Sequence, residues 1–264
     1  MQSHFSWYQL LPGYEGFHSY LQESLGSTVL FNKGLLPADG RINTIHHLVA
    51  GALVLLLLFT LSGIARWQLR HPSQVLVPSK RLTVLTFFEL FLEGLSQVMR
   101  DIIGSDYRRH VSFVATLGLY ILFSNLLGLV PGFLPPTDSL NTTLACGLAV
   151  FIYFNYHGLR VNGIGHITHL ANPIGVWWGW LLSPLFFPVE LVGLLVRPFS
   201  LAVRLAGNMI GDHKVLLTFV GLMPILLPLP FFALGLLVSI VQTVVFCLLT
   251  CVYISLHTQE IEHA

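Results

Sequence analysis

Arg204 lies in the middle of an apolar, helix-like run, RPFSLAVRLAGNM (197 to 209), with no block of acids beside it. A guanidinium stays protonated at any workable pH. Holding one near a bilayer centre costs roughly 3 kcal/mol on insertion scales and ~10 or more in simulation, so an ion placed there marks an ion pathway or a polar cavity. Arginine cannot shuttle protons itself. It can repel cations, attract carboxylates and favour the charged form of any acid brought within about 4 to 6 Å, the work of a fixed electrostatic gate. The bland alternative is that Arg197 and Arg204 snorkel, or pair with Glu190 and Asp212.

Projected at 100° per residue, Glu190, Gly193, Arg197, Ser200, Arg204, Gly207, Asn208 and Gly211 fall close to one line. That face is polar and small, whereas Leu195, Phe199, Val203 and Leu205 are bulky and suit lipid or neighbouring helices. Gly207 and Gly211 form a small-xxx-small pair that lets a second helix come close. Asn208, Asp212, His213 and Lys214 continue along the same helix. Ser239, Gln242, Thr243 and Thr250 give the last apolar segment a polar stripe that could face them. An Asp beside a His, with waters held by Asn and Gln, could carry protons. The same groups could instead serve as interhelical hydrogen-bonding glue.

The elements that hold these residues belong to a membrane protein. The chain of 264 residues is 54% hydrophobic and 9% charged, with mean hydropathy +0.74, against about 25% charged in soluble domains. A net charge of +1 without a basic tail or acidic block excludes a nucleic-acid partner and points to lipid and other protein. Cys146, Cys247 and Cys251 lie in apolar segments and read as small buried hydrophobes, not as disulfides or metal ligands. Residues 1 to 45 show no secretory signal.

An all-α polytopic fold follows, with five membrane-embedded helices and one interfacial helix. Residues 46 to 66 cross once, since a hydrocarbon core needs about 20 apolar residues. Arg66, Arg70, Lys80, Arg81, Arg100, Arg108 and Arg109 follow this span, against Lys33 and Arg41 before it. That bias places segment 1 to 45 outside and the loop in the cytoplasm. Between 80 and 104 apolar residues recur at helical spacing opposite Thr83, Glu89, Glu93, Gln97 and Arg100, which predicts an amphipathic helix along the interface. Spans 110 to 130 and 141 to 159 flank a loop without Lys or Arg, and 158 to 173 reads as a turn region. A long helix is expected within 174 to 223, either steeply slanted or bent at Pro198. Pro224, Pro228 and Pro230 read as a turn into a last helix over 229 to 258, ending in a cytoplasmic C-terminus, so that residues 46 to 264 form a single membrane domain.

At these residues the chain resembles subunit a of the F-type ATP synthases. RPFSLAVRLAGNM continuing into IGDHKV is similar to the family's most diagnostic motif, and VQTVVFCLLTCVYISL resembles its last helix; NLLGLVPG (125 to 132) and PPTDSLNTTLACGLAVF (135 to 151) are also family-like, over roughly residues 40 to 260. The resemblance implies a stator subunit in a bacterial inner membrane that conducts protons through two half-channels to a ring of c subunits, beside peripheral-stalk b subunits, with no cofactor and no catalysis of its own. It makes Arg204 the arginine that faces the ring carboxylates, and gives proton-path roles to Asn208, Gln242, Glu190 and His213. Gly235 stands where some bacterial members carry His, and Asp212 where those members have Gly, so a polar group has moved across the helix pair. Nucleotide chemistry belongs to other subunits, because the chain has no Gly-rich GK[ST] phosphate loop. A haem-binding electron carrier would need histidines paired at matching depth, but His46, His47, His110, His157, His166, His169 and His257 cluster near span ends. A proton-coupled secondary transporter would be expected to show broken helices and related halves.

Overall fold

The computed structural model describes residues 46–69, 83–130, 132–163, 179–222 and 228–258, together with Gly16 and Ser19. The expectations for segment 1 to 45, and for most of the loops at 70–82 and 164–178, lie outside the described residues. Six α-helices and one short 3-10 turn, at Pro136–Asp138, account for the described fold. They are α1 (His46–Leu69), α2 (Val84–Ile103), α3 (Tyr107–Leu127), α4 (Leu140–Asn162), α5 (Gly179–Leu222) and α6 (Pro228–Thr258).

Among the described residues, four helices are long and apolar enough to cross a membrane: His47–Leu69, Tyr107–Leu127, Phe186–Val220 and Leu229–Thr258. Helix α4 has the length, 23 residues or ~35 Å, but is less apolar. It lies in the middle of the bundle against both α5 and α6, so Thr143 and His157 are buried in protein and not in lipid. Helix α2 is amphipathic as its periodicity predicts. Leu95 and Met99 are buried, while Glu89, Glu93, Gln97 and Arg100 are exposed. Gly104, at φ 83°, turns the chain from α2 into α3 with a backbone that an L side chain rarely adopts.

Helix α5 runs unbroken through 44 residues, ~66 Å against a hydrocarbon core of about 30 Å. Helical structure continues through Pro198, so that residue does not end the helix. Pro228 and Pro230 belong to the first turn of α6, not to the preceding turn. The first-turn N–H groups of a helix have no internal acceptor, so a proline there sacrifices nothing.

The core is a line of side chains along α3, α4, α5 and α6, including Ile121, Phe154, Leu205, Phe246 and Ile254. Cys146, Cys247 and Cys251 are buried and reduced within it. Two glycines set how closely the helices approach. A Cβ on Gly118 would lie 2.6 Å from Cys247 Sγ, and one on Gly147 would lie 2.6 Å from the Pro198 carbonyl oxygen. The second neighbour is backbone and cannot turn aside. Gly147→Leu is therefore expected to destabilise the chain by about 1–3 kcal/mol through overpacking, read as an earlier thermal midpoint in detergent, with Gly147→Ala showing a smaller shift in the same direction. An unchanged midpoint would show that α4 and α5 separate freely.

Candidate functional site

Helix α5 divides lengthwise. Leu194, Leu201, Ala202, Leu205, Ala206, Met209 and Leu216 are buried against the rest of the bundle. Val192, Val196, Phe199, Val203, Arg204, Gly207, Asn208 and Gly211 are exposed. Arg204 thus looks out of the fold. Among the described residues it makes no hydrogen bond or ion pair, so its pairing with Glu190 or Asp212 is not realised. Gly193, Gly207 and Gly211 have nothing within 4 Å of the place where a Cβ would stand. The exposed arc is wider than the projected line, since Leu195, Phe199 and Val203 share it with Arg204. Only Leu205, of those bulky residues, turns inward. Ser200 is half-buried at the arc's edge.

One turn beyond Arg204, the amide of Asn208 donates to the side-chain oxygen of Gln242 on α6 at 2.7 Å. Gln242 is buried, and this bond joins the two helices at the depth of the exposed arginine. A further turn along α5, the carboxyl of half-buried Asp212 rests against Gly235 of α6. A Cβ at Gly235 would stand 2.7 Å from Asp212 Oδ2 and 2.6 Å from Leu129 Cδ2. The Asp212 side chain thus fills space that a residue at 235 would otherwise occupy. His213 is half-buried beside it and Lys214 is exposed. Asn208, Asp212, His213 and Gln242 therefore gather on the part of α5 and α6 nearer their connection. Glu190 does not join them. It is half-buried and stands ~21 Å along α5 from Arg204, in the opposite direction from Asp212.

The polar stripe of α6 is only partly available to such a path. The Thr243 hydroxyl donates to the Ser239 carbonyl and that of Thr250 to the Phe246 carbonyl, each at 2.8 Å. These threonines satisfy themselves on their own backbone. Sequence reading missed a second polar group. Asn125, near the end of α3, is 2% exposed and accepts a hydrogen bond from Thr137 at 2.9 Å. Its Nδ2 and the hydroxyl oxygen of buried Ser239 have no hydrogen-bond partner. A buried donor left unbonded costs about 1–3 kcal/mol, which makes such groups rare outside functional positions. Leu129, one turn after Asn125, reaches the Gly235 position against which the Asp212 carboxyl also rests. The signal available in the sequence was an Asn inside an apolar span, masked by the turn that follows it.

Arg197 is held differently from Arg204. Its Nη1 lies 3.2 Å from His257 Nε2, and its guanidinium sits over the Tyr253 ring at 5.9 Å. His257 Nδ1 is 2.8 Å from the Tyr253 carbonyl oxygen. Only an N–H can bond there, so Nε2 carries the lone pair and accepts from Arg197. Asn162 of α4 donates to the His257 carbonyl oxygen at 3.3 Å. Three helices are joined at this end of the bundle, where His110 and His157 also meet with ring centroids 4.8 Å apart.

The chain matches the family model described as ATP synthase A chain over residues 46–255. It is 35% identical over 263 residues to ATP synthase subunit a of Sorangium cellulosum (strain So ce56), covering 96% of this chain and 100% of that protein. It is 46% identical over 169 residues to ATP synthase subunit a 2 of Syntrophotalea carbinolica, covering 64% of this chain and 70% of the relative. It is 42% identical over 174 residues to ATP synthase subunit a of Geobacter sulfurreducens, covering 66% and 74%.

Proposed function

This chain belongs to the ATP synthase subunit a family, the proton-translocating stator of the enzyme's membrane sector, and from that premise we propose which of its residues conduct the protons. The reading rests on one observation above the rest: Arg204 is exposed and unpaired on an arc whose glycines open on empty space. A permanent cation in that position needs a counter-charge from outside the chain. The partner that fits is a ring of c subunits presenting carboxylates, docked along the Gly207 and Gly211 side of α5, with Ser200 at its margin. Peripheral-stalk b subunits take another face.

Protons enter from outside through a cavity between α3, α5 and α6 lined by Asp212, His213, Asn208 and Gln242. Asn125 and Ser239 extend it toward the outer surface, because the unbonded Nδ2 of the one and hydroxyl oxygen of the other suit a file of waters, with Thr137 holding the Asn125 side-chain oxygen. The proton neutralises a ring carboxylate, which can then face lipid through nearly a full revolution. At a second, cytoplasmic cavity it loses the proton. Glu190 belongs to that second cavity, since it stands on the other side of Arg204 from Asp212. Arg204 stops a charged carboxylate from passing back. Each elementary charge crossing 100 mV supplies about 2.3 kcal/mol to rotation. The subunit is not catalytic alone. Its N-terminus lies outside and its C-terminus in the cytoplasm of a bacterial cell, a reading supported by the excess of Lys and Arg that follows the first span.

Cysteine cross-linking tests the docking face. Gly207→Cys and Gly211→Cys, each paired with a cysteine beside the ring carboxylate, are expected to form disulfides that halt ATP-driven rotation. Cross-links obtained only from α1, at exposed Phe59, would place the ring elsewhere. The cavity lining is tested by flow: Gln242→Leu and His213→Ala should slow ATP-driven proton pumping several-fold without abolishing it. Parental rates in both would exclude the lining named here.

A further inference from the structure

We propose that Tyr107 and the two guanidinia gathered on it form a binding site for the phosphate of an anionic phospholipid headgroup. The site is at the corner between α2 and α3, remote from Arg204. Arg100, in the last turn of α2, donates through Nη2 to the Tyr107 hydroxyl oxygen at 3.2 Å, with its guanidinium 5.3 Å from the centre of the same ring. Arg108, in the first turn of α3, approaches that oxygen through Nε at 3.5 Å. One neutral oxygen thus gathers two positive groups that repel each other.

Acids are close in sequence but do not neutralise the pair. Asp101 and Asp106 are exposed, and among the described residues neither forms an ion pair with Arg100 or Arg108. Each guanidinium carries five N–H donors, and most of them remain unused. Planar donors in that number, with no acid in contact, match the oxygens of a phosphate.

The location chooses lipid over free phosphate. Helix α2 is amphipathic and α3 is a membrane span, so the corner between them lies at the surface of the bilayer, where headgroups are. Leu90 and Leu92 of α2 are exposed, between two and three turns back along α2 from Arg100, within reach of an acyl chain whose headgroup sits at the corner. A basic site between membrane helices at this depth recognises acidic headgroups. The consequence for the protein is a lipid that bridges α2 to α3 and fixes the angle between the interfacial helix and the span.

The assembled complex, reconstituted in nanodiscs of phosphatidylcholine with a minority of phosphatidylglycerol, is examined by native mass spectrometry for lipid retained on this subunit. Arg100→Gln with Arg108→Gln should lower retained phosphatidylglycerol roughly tenfold, the scale of one charge-assisted hydrogen bond, and leave phosphatidylcholine unchanged. Arg66→Gln with Arg109→Gln removes the same charge from exposed residues lacking this arrangement, and should change retention by no more than about threefold. Tyr107→Phe, which keeps both charges but removes the gathering oxygen, should fall between the two. Equal losses in both double variants would overturn the proposal in favour of diffuse attraction. Displacement of the lipid by millimolar inorganic phosphate would overturn it in favour of a soluble ligand. All of these variants retain Arg204, so the outcome stands apart from the assignment of the proton path.

Discussion

Arg204→Ala is expected to abolish ATP synthesis driven by respiration while the subunit remains inserted and assembled. The guanidinium is exposed and makes no bond within the described chain, so its removal takes nothing from the fold. Ala is also a better helix former than Arg in this setting. What disappears is the only fixed charge on the outward arc of α5 at that depth. Without it, a ring carboxylate can cross between the two cavities still ionised, and protons run down their gradient without turning the rotor. Arg204→Lys keeps the charge but replaces a planar fork with a compact ammonium on a flexible stem, so partial function at most is expected. The measurements are growth on a respired carbon source and acidification of inverted vesicles, with quantitation of the subunit in the membrane. Normal growth of the alanine variant would remove the arginine from the mechanism.

Gly235→His gives the second large effect, and its partner substitution tells why. The new Cβ would be placed 2.7 Å from Asp212 Oδ2 and 2.6 Å from Leu129 Cδ2, so both side-chain ends must turn aside to admit it, and the single variant should lower proton flow sharply by displacing the Asp212 carboxyl. Asp212→Gly alone removes a proposed proton-path group and should lower flow. The double variant, Asp212→Gly with Gly235→His, restores one ionisable group to the same space from the opposite helix and should recover part of the rate. Residues in contact couple by about 0.5–3 kcal/mol in a double-mutant cycle. A strictly additive cycle would show that Asp212 and residue 235 do not share a position in the path.

The sequence carried the helices well wherever one physical signal dominated. The period of α2 and the apolar length of α1 and α6 were read to within a few residues, because lipid leaves the backbone few alternatives to a helix. Helix α4 was legible as a helix although it is less apolar than the four candidate spans, and its polar residues Thr143 and His157 are buried by neighbours. Its position in the bundle was not legible. The site divided in the same way. A charge in an apolar helix stands out as a candidate, and Arg204 is exposed on the outward arc of α5. Asn125 and Thr137 did not, because their meaning lies in a contact between α3 and the 3-10 turn that no periodicity encodes. Projection also gave a line for the face of α5 where the molecule has a broad arc. A wheel fixes angles around one helix but says nothing of where its neighbours stand. The threonines of α6 show the opposite error. Their stripe looked available for conduction, whereas Thr243 and Thr250 are bonded to their own helix.

Those self-contained hydroxyls leave α5 and α6 joined mainly by shape, with side-chain hydrogen bonds among the described residues at Asn208–Gln242 and Arg197–His257. The two fastenings are ~16 Å apart along α5. One alone would be a pivot about which the pair could swing. Two so separated resist both swinging and sliding, as two rivets hold a strut, so torque delivered against α5 passes into α6, and through Asn162 into α4, without the pair scissoring.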